Sequence, residues 1–323
     1  MSNMTKTMAV FSGSTYPELA EEIAKELGVK LGDIRLEKFA NGEIYARYMD
    51  SVRGADVFLI QSVAGPNVND ALMELLIMVD AAKRASARTI TAVLPHYGYS
   101  RQDRKAAPRE PITAKLVADM LTTAGVDRTI TIDLHQGQIE GYFDTPVNHL
   151  TALWLMADYF MAKNLDTSNL CIVSPDLGRA KAAKKLAGIM GAELVILHKD
   201  RPKHNAAEIT ALIGNVEGKT CILNDDMIDT AGSITAAVST LKKNGAEKVY
   251  VCATHPVFSG PAYERLASPE IEEVVVCNTI PIPEEHLGGK IKQVSVAPLF
   301  ARAIQNVFYN NSIAVLFDKD FAL

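Results

Sequence analysis

The chain has 323 residues and a formal net charge of −5 at pH 7, with 48% hydrophobic and 22% charged residues. Its length favours two domains and its composition is that of a globular protein, while the negative charge argues against non-specific nucleic-acid binding. The chain begins with polar residues rather than a signal peptide, and its most apolar long stretch, at 71–82, contains Glu74 and Asp80 and is too short to span a membrane. We therefore expect a protein that acts without nucleic acid and without a membrane.

Strands and helices are predicted to alternate along the first half of the chain. Apolar and β-branched runs predict strands at 8–12, 57–62, 89–94 and 129–133. A helix is predicted at 72–85, because apolar side chains recur there at helical spacing. This set of strands is complete near 146–150, and a long helix follows at 151–163. We therefore predict a boundary at 146–150 that separates domains at 1–150 and 151–323.

The second half repeats this alternation with more strongly apolar strands. Its predicted strands lie at 170–174, 194–198, 220–225, 248–253 and 274–278. Several are apolar on both faces, as strands inside a parallel sheet are. A helix is predicted at 234–244, with lysines in its last turn and Gly245 just beyond. The pattern predicts an α/β fold in which each domain is a mostly parallel sheet flanked by helices.

The cysteines give no sign of metal binding or redox catalysis. Cys171, Cys221, Cys252 and Cys277 lie in apolar, strand-like runs, and none is spaced like a zinc or redox pair. We interpret them as buried, reduced thiols of a cytoplasmic protein.

The segment at 221–234, CILNDDMIDTAGSI, predicts a binding site for a phosphorylated ribose. Ligands of an open parallel sheet bind beyond the carboxyl ends of its strands. Asp225 and Asp226 are unusual at the tip of a buried strand, because two carboxylates there repel each other and lose hydration. The vicinal hydroxyls of a ribose could donate hydrogen bonds to both. The helix that follows could bind the phosphate through its free amides and through the run Asp229, Thr230, Ala231, Gly232 and Ser233. An acidic helix cap with a tight turn would explain Asp229 and Thr230 equally well, but not the aspartate pair.

Further polar turns leave two interpretations open when they are taken alone. Arg101, Gln102 and Arg104 form either a loop for a nucleotide triphosphate or a solvated basic loop. His135, at the end of a strand, is either a metal ligand or a structural histidine. Lys199 and Arg201 project from the predicted strand at 194–198 into a polar loop at 200–208, and a surface pair is the simplest reading.

Several sequence blocks resemble the ribose-phosphate pyrophosphokinase family, and together they cover essentially the whole chain. The blocks are KFANGE (38–43), LMELLIMVDAAKRASA (72–87), YSRQDRK (99–105), REPITAKL (109–116), IDLHQGQIEG (132–141), VSPDLGRA (173–180), HKDR (198–201) and the segment at 221–234. The resemblance implies two phosphoribosyltransferase-like domains. It also implies transfer of the diphosphate of Mg-ATP to the 1-hydroxyl of ribose 5-phosphate, giving 5-phosphoribosyl 1-diphosphate (PRPP) and AMP.

The resemblance also implies roles for individual residues. ATP would be held by Arg101, Gln102 and Arg104, and its adenine by a neighbouring subunit's residues matching Phe39, Asn41 and Glu43. The pyrophosphate loop would be Asp176, Leu177, Gly178 and Arg179, and His135 with Asp176 would contact Mg²⁺. Lys199 and Arg201 would stabilise the charge of the transferred diphosphate. The family usually forms homohexamers that phosphate activates and ADP inhibits.

The chain departs from the family pattern at a few positions. Arg179 stands where many relatives have a second glycine, and Asn224 and Ser233 replace an aliphatic residue and a threonine. Gly137, Asn148 and His149 differ from the usual regulatory phosphate site, so we expect weakened phosphate activation.

Two rival functions are weaker. A phosphoribosyltransferase that consumes PRPP would need the segment at 221–234 but not the nucleotide blocks. A catalytically silent partner subunit would be expected to lose Lys199, Arg201, His135 or Asp176, and all four are present.

Overall fold

The computed structural model describes residues 6–203 and 206–317, and for 199–203, 206–210 and 317 it describes the backbone alone. It contains two compact units. The first comprises the chain up to Thr151 together with the segment that begins at Val296, and the second is Ala152–Ser295. The predicted second domain, 151–323, was therefore too long at its C-terminal end.

The first unit contains a parallel sheet, one antiparallel hairpin and four helices among its described residues. Its strands are β1 (Met8–Ser12), β2 (Ile34–Lys38), β3 (Ile44–Tyr48), β4 (Asp56–Ile60), β5 (Thr89–Leu94), β6 (Arg128–Ile132) and β7 (Val147–Leu150). Its helices are α1 (Pro17–Leu27), α2 (Val68–Arg84), α3 (Thr113–Ala124) and α8 (Ala297–Tyr309). The sheet order is β1-β4-β5-β6-β7 with parallel neighbours throughout, and β2 pairs with β3.

The second unit contains a seven-stranded sheet. Its strands are β8 (Leu170–Ser174), β9 (Glu193–Lys203), β10 (Ala206–Ile213), β11 (Thr220–Ile228), β12 (Lys248–Pro256), β13 (Glu273–Cys277) and β14 (Ile291–Val294). Its helices are α4 (Leu153–Met161), α5 (Ala180–Met190), α6 (Gly232–Lys243) and α7 (Ala262–Leu266). The order is β10-β9-β8-β11-β12-β13-β14, and only the β9–β10 edge pair is antiparallel among the described strands. The predicted fold class, α/β with mostly parallel sheets flanked by helices, is confirmed.

Helix α8 explains why the chain returns to the first unit. Its apolar residues cover most of its circumference, and Phe300 and Ile304 are fully buried. The helix packs against α1, and Lys6 Nζ donates a hydrogen bond of 3.0 Å to the Phe308 carbonyl. A helix with so wide an apolar stripe must be covered, and α1 provides the complementary face.

The prediction of a loop at 200–208 is wrong, because the described backbone there belongs to strands β9 and β10. Strand β9 continues from Glu193 to Lys203 and pairs with β10, with Lys199 opposite Ile209 and Asp200 opposite Glu208. The polar residues indicated a loop, but an edge hairpin tolerates polar side chains because it is not covered on both faces.

Two further findings concern the chain as a whole. In the part of the chain that the structure describes, no helix combines the length and apolar character needed to cross a membrane. All four cysteines are buried and none is joined in a disulfide, as predicted.

Candidate active site

Strand β11 carries the two aspartates of the predicted ribose site, and it continues to Ile228, beyond the predicted end at Asp225. Its pairing with β8 stops at Leu223, whereas its pairing with β12 continues to Ile228. Asp225 and Asp226 therefore lie within the strand, on a stretch where β8 no longer covers its edge. The strand outlasts its apolar run because β12 also extends to Pro256 and supplies backbone partners for the polar residues.

The turn after β11 places Ala231 at the N-cap position of α6, in the left-handed conformation with φ 58°. Its methyl side chain makes no cap hydrogen bond. The N-cap residue is therefore neither Asp229 nor Thr230, which the alternative of an acidic helix cap had named. The first amides of α6 have no partner within the helix, and such amides form a ready-made anion site.

Arg179 lies against both aspartates of β11. Its Nε is 3.8 Å from Asp225 Oδ1 and 3.8 Å from Asp226 Oδ1. Burial and the neighbouring Asp226 charge raise the pKa of Asp225 well above its usual range, and the guanidinium opposes this shift. The Arg179 Nε is buried without a hydrogen-bond acceptor, and Asn224 Oδ1 is buried without a hydrogen-bond donor. Arg179, which departs from the family pattern, thus lies beside the two aspartates of the predicted ribose site.

The predicted pyrophosphate loop is a single 3-10 turn, Leu177–Arg179, that follows β8. Asp176 caps this turn, since its Oδ1 accepts a hydrogen bond of 3.1 Å from the Arg179 amide. The Ser174 hydroxyl donates to the Asp176 carbonyl at 2.7 Å, and Leu177 is exposed. A Cβ added to Gly178 would lie 3.2 Å from Asp176 Oδ1, so the turn is tight around the carboxylate.

A segment that was not predicted, 258–265, runs alongside the turn from β11 to α6. The amides of Phe258 and Ser259 donate to the carbonyls of Ile228 and Asp229, each at 3.0 Å. Arg265 Nη1 donates to the Thr230 carbonyl at 2.8 Å. Sequence reasoning missed Arg265 because it is 35 residues distant from Thr230 and belongs to a five-residue helix with no recognisable motif.

The predicted nucleotide residues follow β5 in the first unit. Gln102 is fixed there, because its Oε1 accepts from the Thr113 hydroxyl at 2.5 Å and its carbonyl accepts from the Ala114 amide at 3.1 Å. Asp103 between the basic residues is buried, and Gln138 Nε2 donates to its Oδ2 at 3.3 Å. Arg101 and Arg104 are exposed. The loop is therefore anchored through its Gln and Asp and presents two guanidinium groups.

His135 follows a strained turn at the end of β6. Asp133 has φ 39°, and its amide donates to the Leu150 carbonyl at 3.0 Å. The Leu134 amide donates at 2.9 Å to Nε2 of His149, whose Nδ1 donates to Glu140 at 2.6 Å. Within the described residues, no three His, Cys, Asp or Glu side chains form a group that could hold a metal ion. A Mg²⁺ site here would have to be completed by water and phosphate oxygens.

The predicted adenine residues lie at the turn between β2 and β3. The Phe39 amide donates to the Glu43 carbonyl at 2.8 Å, and the Glu43 amide donates to Asn41 Oδ1 at 3.2 Å. All three residues are exposed, and the Phe39 ring is 53% exposed. Lys199 and Arg201 lie in β9, and their side chains are outside the described part of the chain.

Comparisons with known proteins bear on the whole chain. The profile of the N-terminal domain of ribose phosphate pyrophosphokinase matches residues 8–125, and that of the phosphoribosyl synthetase-associated domain matches residues 193–318. A ribose-phosphate pyrophosphokinase of Clostridium acetobutylicum is 51% identical over 320 residues, which are 99% of this chain and 100% of that protein. One of Bacillus subtilis is 51% identical over 312 residues, which are 97% and 98% of the two chains. The crystal structure of phosphoribosylpyrophosphate synthetase from Mycobacterium smegmatis superposes with a TM-score of 0.89 at 46% identity, covering 95% of this chain and 100% of that one.

Proposed function

The chain belongs to the ribose-phosphate pyrophosphokinase family, and on this premise we propose how its own residues perform the reaction. The enzyme transfers the diphosphate of ATP to the 1-hydroxyl of ribose 5-phosphate, which yields PRPP and AMP. The observation that carries the proposal is the edge of β11, where two aspartates lie on the strand that leads, through one short turn, into the N-terminus of α6. No other substrate class explains both halves of that arrangement as simply.

The ribose 5-phosphate site is proposed to lie along β11 and the start of α6. Asp225 and Asp226 accept hydrogen bonds from the ribose hydroxyls, which replace part of the hydration that the carboxylates lose on burial. Thr230, Ala231, Gly232 and Ser233 bind the 5-phosphate through backbone amides and hydroxyls. Asp229 lies between these two groups in the chain and contributes to the sugar side.

The ATP site is proposed to use Arg101, Gln102 and Arg104. Two exposed guanidinium groups on an anchored loop suit a triphosphate, because each can donate forked hydrogen bonds. Phe39, Asn41 and Glu43 hold the adenine of a neighbouring subunit's ATP, which the exposed Phe39 ring supports. This sharing of ATP between copies implies a homo-oligomer, for which we propose a hexamer.

Mg²⁺ is the proposed cofactor, with Asp176 and His135 as its protein contacts. Asp176 fits, because a carboxylate fixed by the Arg179 amide is the hard oxygen ligand that Mg²⁺ prefers. When bound, the ion neutralises the charge of the β- and γ-phosphate oxygens. Few protein ligands are needed, since Mg²⁺ usually keeps waters and substrate phosphates.

The chemical step is an attack of the ribose 1-hydroxyl oxygen on the β-phosphorus of ATP. A new oxygen–phosphorus bond forms, the bond between the β-phosphorus and the oxygen of the α-phosphate breaks, and AMP leaves with that oxygen. Lys199 and Arg201 stabilise the charge that develops on the transferred diphosphate, while Leu177, Gly178 and Arg179 hold it at the end of β8. The hydroxyl proton is released during the step.

Regulation by phosphate is proposed to be weak in this enzyme, whereas ADP remains a candidate inhibitor. Two residues that depart from the usual phosphate site are already engaged, because Asn148 Oδ1 accepts from Arg128 Nη1 at 3.0 Å and His149 contacts Glu140. The Glu140 carboxylate, which lies beside His149, also repels a phosphate anion. We expect steady-state rates to change little between phosphate-free buffer and saturating phosphate. A steep phosphate requirement would contradict this.

One assay tests the function and separates it from its rivals. The purified protein is incubated with ribose 5-phosphate, ATP and Mg²⁺, and AMP and PRPP are measured by chromatography. AMP should appear in equal amounts with PRPP and only when ribose 5-phosphate is present. Consumption of added PRPP with a nucleobase would indicate a phosphoribosyltransferase, and the absence of both activities would indicate a silent subunit. A cytoplasmic location, which the buried thiols support, is proposed as well.

A further inference from the structure

We infer that Arg265 is a positioning residue for the 5-phosphate of ribose 5-phosphate, acting through the backbone of the turn between β11 and α6. Arg265 lies on α7, outside every motif that predicted the site. The inference rests on the proposed function, because it takes the turn at 229–233 as the site of the sugar phosphate.

The first step concerns three successive carbonyls of the turn. Those of Ile228 and Asp229 accept hydrogen bonds of 3.0 Å from the amides of Phe258 and Ser259, and that of Thr230 accepts one of 2.8 Å from Arg265 Nη1. All three therefore point towards one neighbouring segment. Two of these bonds come from backbone amides, and the third comes from the side chain of Arg265 on α7.

The second step follows from the planarity of the peptide bond. In a trans peptide the C=O and the following N–H point in opposite directions. A carbonyl held by the segment 258–265 therefore turns the next N–H away from that segment. The three carbonyls aim the amides of Asp229, Thr230 and Ala231 to the opposite side, where the free amides of α6 begin. Arg265 controls the last of them, the Ala231 N–H, which is closest to the helix.

The third step is that the backbone is strained where Arg265 holds it. Ala231 has φ 58° and Phe258, on the opposing segment, has φ 46°. Non-glycine residues in this region are disfavoured and persist only where surrounding contacts hold them. Ala231 and Phe258 are both buried, so packing fixes their positions, while the Arg265 hydrogen bond fixes the peptide plane between Thr230 and Ala231.

The fourth step is steric and concerns Gly232. A Cβ built on Gly232 would lie 3.1 Å from Arg265 Nη1, which is closer than most Cβ contacts. The φ of Gly232 is not in the left-handed region, so a side chain there would be opposed by the nearby guanidinium and not by the backbone conformation. The guanidinium thus occupies the volume beside the first residue of α6 and adds positive charge to the end of the helix that attracts anions.

These observations predict an effect on substrate affinity and little effect on stability. The hydrogen bond is exposed to water in the free protein, where such a contact contributes little. A bound phosphate removes that water and depends on the orientation of the amides. Arg265→Ala should therefore raise KM for ribose 5-phosphate about tenfold, as expected for one charged hydrogen bond. KM for ATP should change less than about twofold, because ATP is bound by other residues.

The experiment compares Arg265→Ala and Arg265→Lys with the control Lys292→Ala. Lys292 also donates a side-chain hydrogen bond to a carbonyl, that of Gly288, but lies on β14 away from the turn. AMP release is measured while each substrate is varied in turn, and the thermal midpoint of every variant is recorded. Arg265→Lys keeps the charge and one donor, so its KM for ribose 5-phosphate should lie between those of wild type and Arg265→Ala. Lys292→Ala should match the wild type.

Three outcomes would overturn the inference. The first is a KM for ribose 5-phosphate in Arg265→Ala that matches the control. The second is an equal rise in KM for both substrates, and the third is a loss of activity that follows a lowered thermal midpoint. If the wild type releases no AMP, the proposed function itself fails. Calorimetric titration of ribose 5-phosphate into wild type and Arg265→Ala then tests Arg265 alone, and equal affinities would end the proposal.

Discussion

At the scale of residues, single charges should decide how the proposed ribose site binds its ligand. Burial and the neighbouring Asp226 raise the pKa of the Asp225 carboxyl, whereas Arg179 favours the ionised form of this carboxyl. A protonated carboxyl loses acceptor capacity and becomes a donor, which no longer matches a sugar hydroxyl in the same way. The affinity for ribose 5-phosphate should therefore depend on how well Arg179 offsets the burial of Asp225.

The first prediction concerns Arg179→Gln. Without the guanidinium the pKa of Asp225 rises further, so more of this carboxyl is protonated at a given pH. The acid limb of kcat/KM for ribose 5-phosphate should move to higher pH, whereas Arg179→Lys should leave it close to that of the wild type. Initial rates at low ribose 5-phosphate across a pH series measure this. An acid limb that stays in place in Arg179→Gln would show that Asp225 is tuned by other groups.

The second prediction concerns Lys199→Ala. If Lys199 stabilises charge only in the transition state, kcat should fall by about 10²–10³-fold, the range seen when one such donor is removed. KM for ATP should change by less than about threefold. Single-turnover AMP release, with equilibrium ATP binding as the control, separates the two quantities. Equal losses in binding and turnover would refute the assigned role.

At the scale of elements, the start of β11 was predictable and its end was not. The apolar run from Cys221 to Leu223 indicates a buried strand whatever its neighbours are. The continuation through Asp225 and Asp226 depends on how far β12 extends, which local sequence does not contain. The β9–β10 hairpin was missed for the same reason, because cross-strand pairing there outweighs polar composition.

The same distinction between local sequence and long-range contacts applies to the residues of the candidate site. Asp225 to Ser233 could be predicted as a group because their chemistry is encoded in one short segment. The contact between Arg179 and the aspartates, and that between Arg265 and Thr230, join residues far apart in the chain. Only the folded sheet brings them together.

The third prediction concerns the turn between β11 and α6. Ala231 is buried and left-handed, so Ala231→Val should lower stability by about 1–2 kcal/mol, because a β-branched residue is poorly tolerated there. Ala231→Gly should be neutral or slightly stabilising, since glycine adopts this conformation readily. Measuring the thermal midpoints of Ala231→Val and Ala231→Gly tests this prediction. Equal midpoints for the two would mean that the turn is not strained at this residue.

For the whole molecule, the chain divides into two compact units, and helix α8 belongs to the first. Chain continuity alone suggested a simple division into halves. The return of α8 was not predicted, because its apolar face fits any uncovered helix and the sequence does not say which one. The packing against α1 decides it.

The fourth prediction follows from this assignment. Phe300→Ala should destabilise the first unit by about 3–5 kcal/mol, as truncation of a fully buried phenylalanine does. Trp154, the one tryptophan of the chain, lies on α4 and reports on the second unit. In Phe300→Ala, the unfolding transition seen by Trp154 fluorescence should therefore change little. The protection of the β1 amides from hydrogen exchange should change more. Phe160→Ala on α4 is the matched control and should show the reverse order, while identical shifts in both variants would argue against the assignment of α8 to the first unit.

The position of α8 in the chain also affects synthesis on the ribosome. Domains usually fold in the order in which they are translated. Here the second unit, Ala152–Ser295, is one uninterrupted stretch, whereas the first unit waits for α8, which is made after all the other α-helices described. During translation, the uncovered face of α1 remains open until α8 emerges. The nascent chain therefore closes its later unit first, and its earlier unit is the one that needs protection from aggregation.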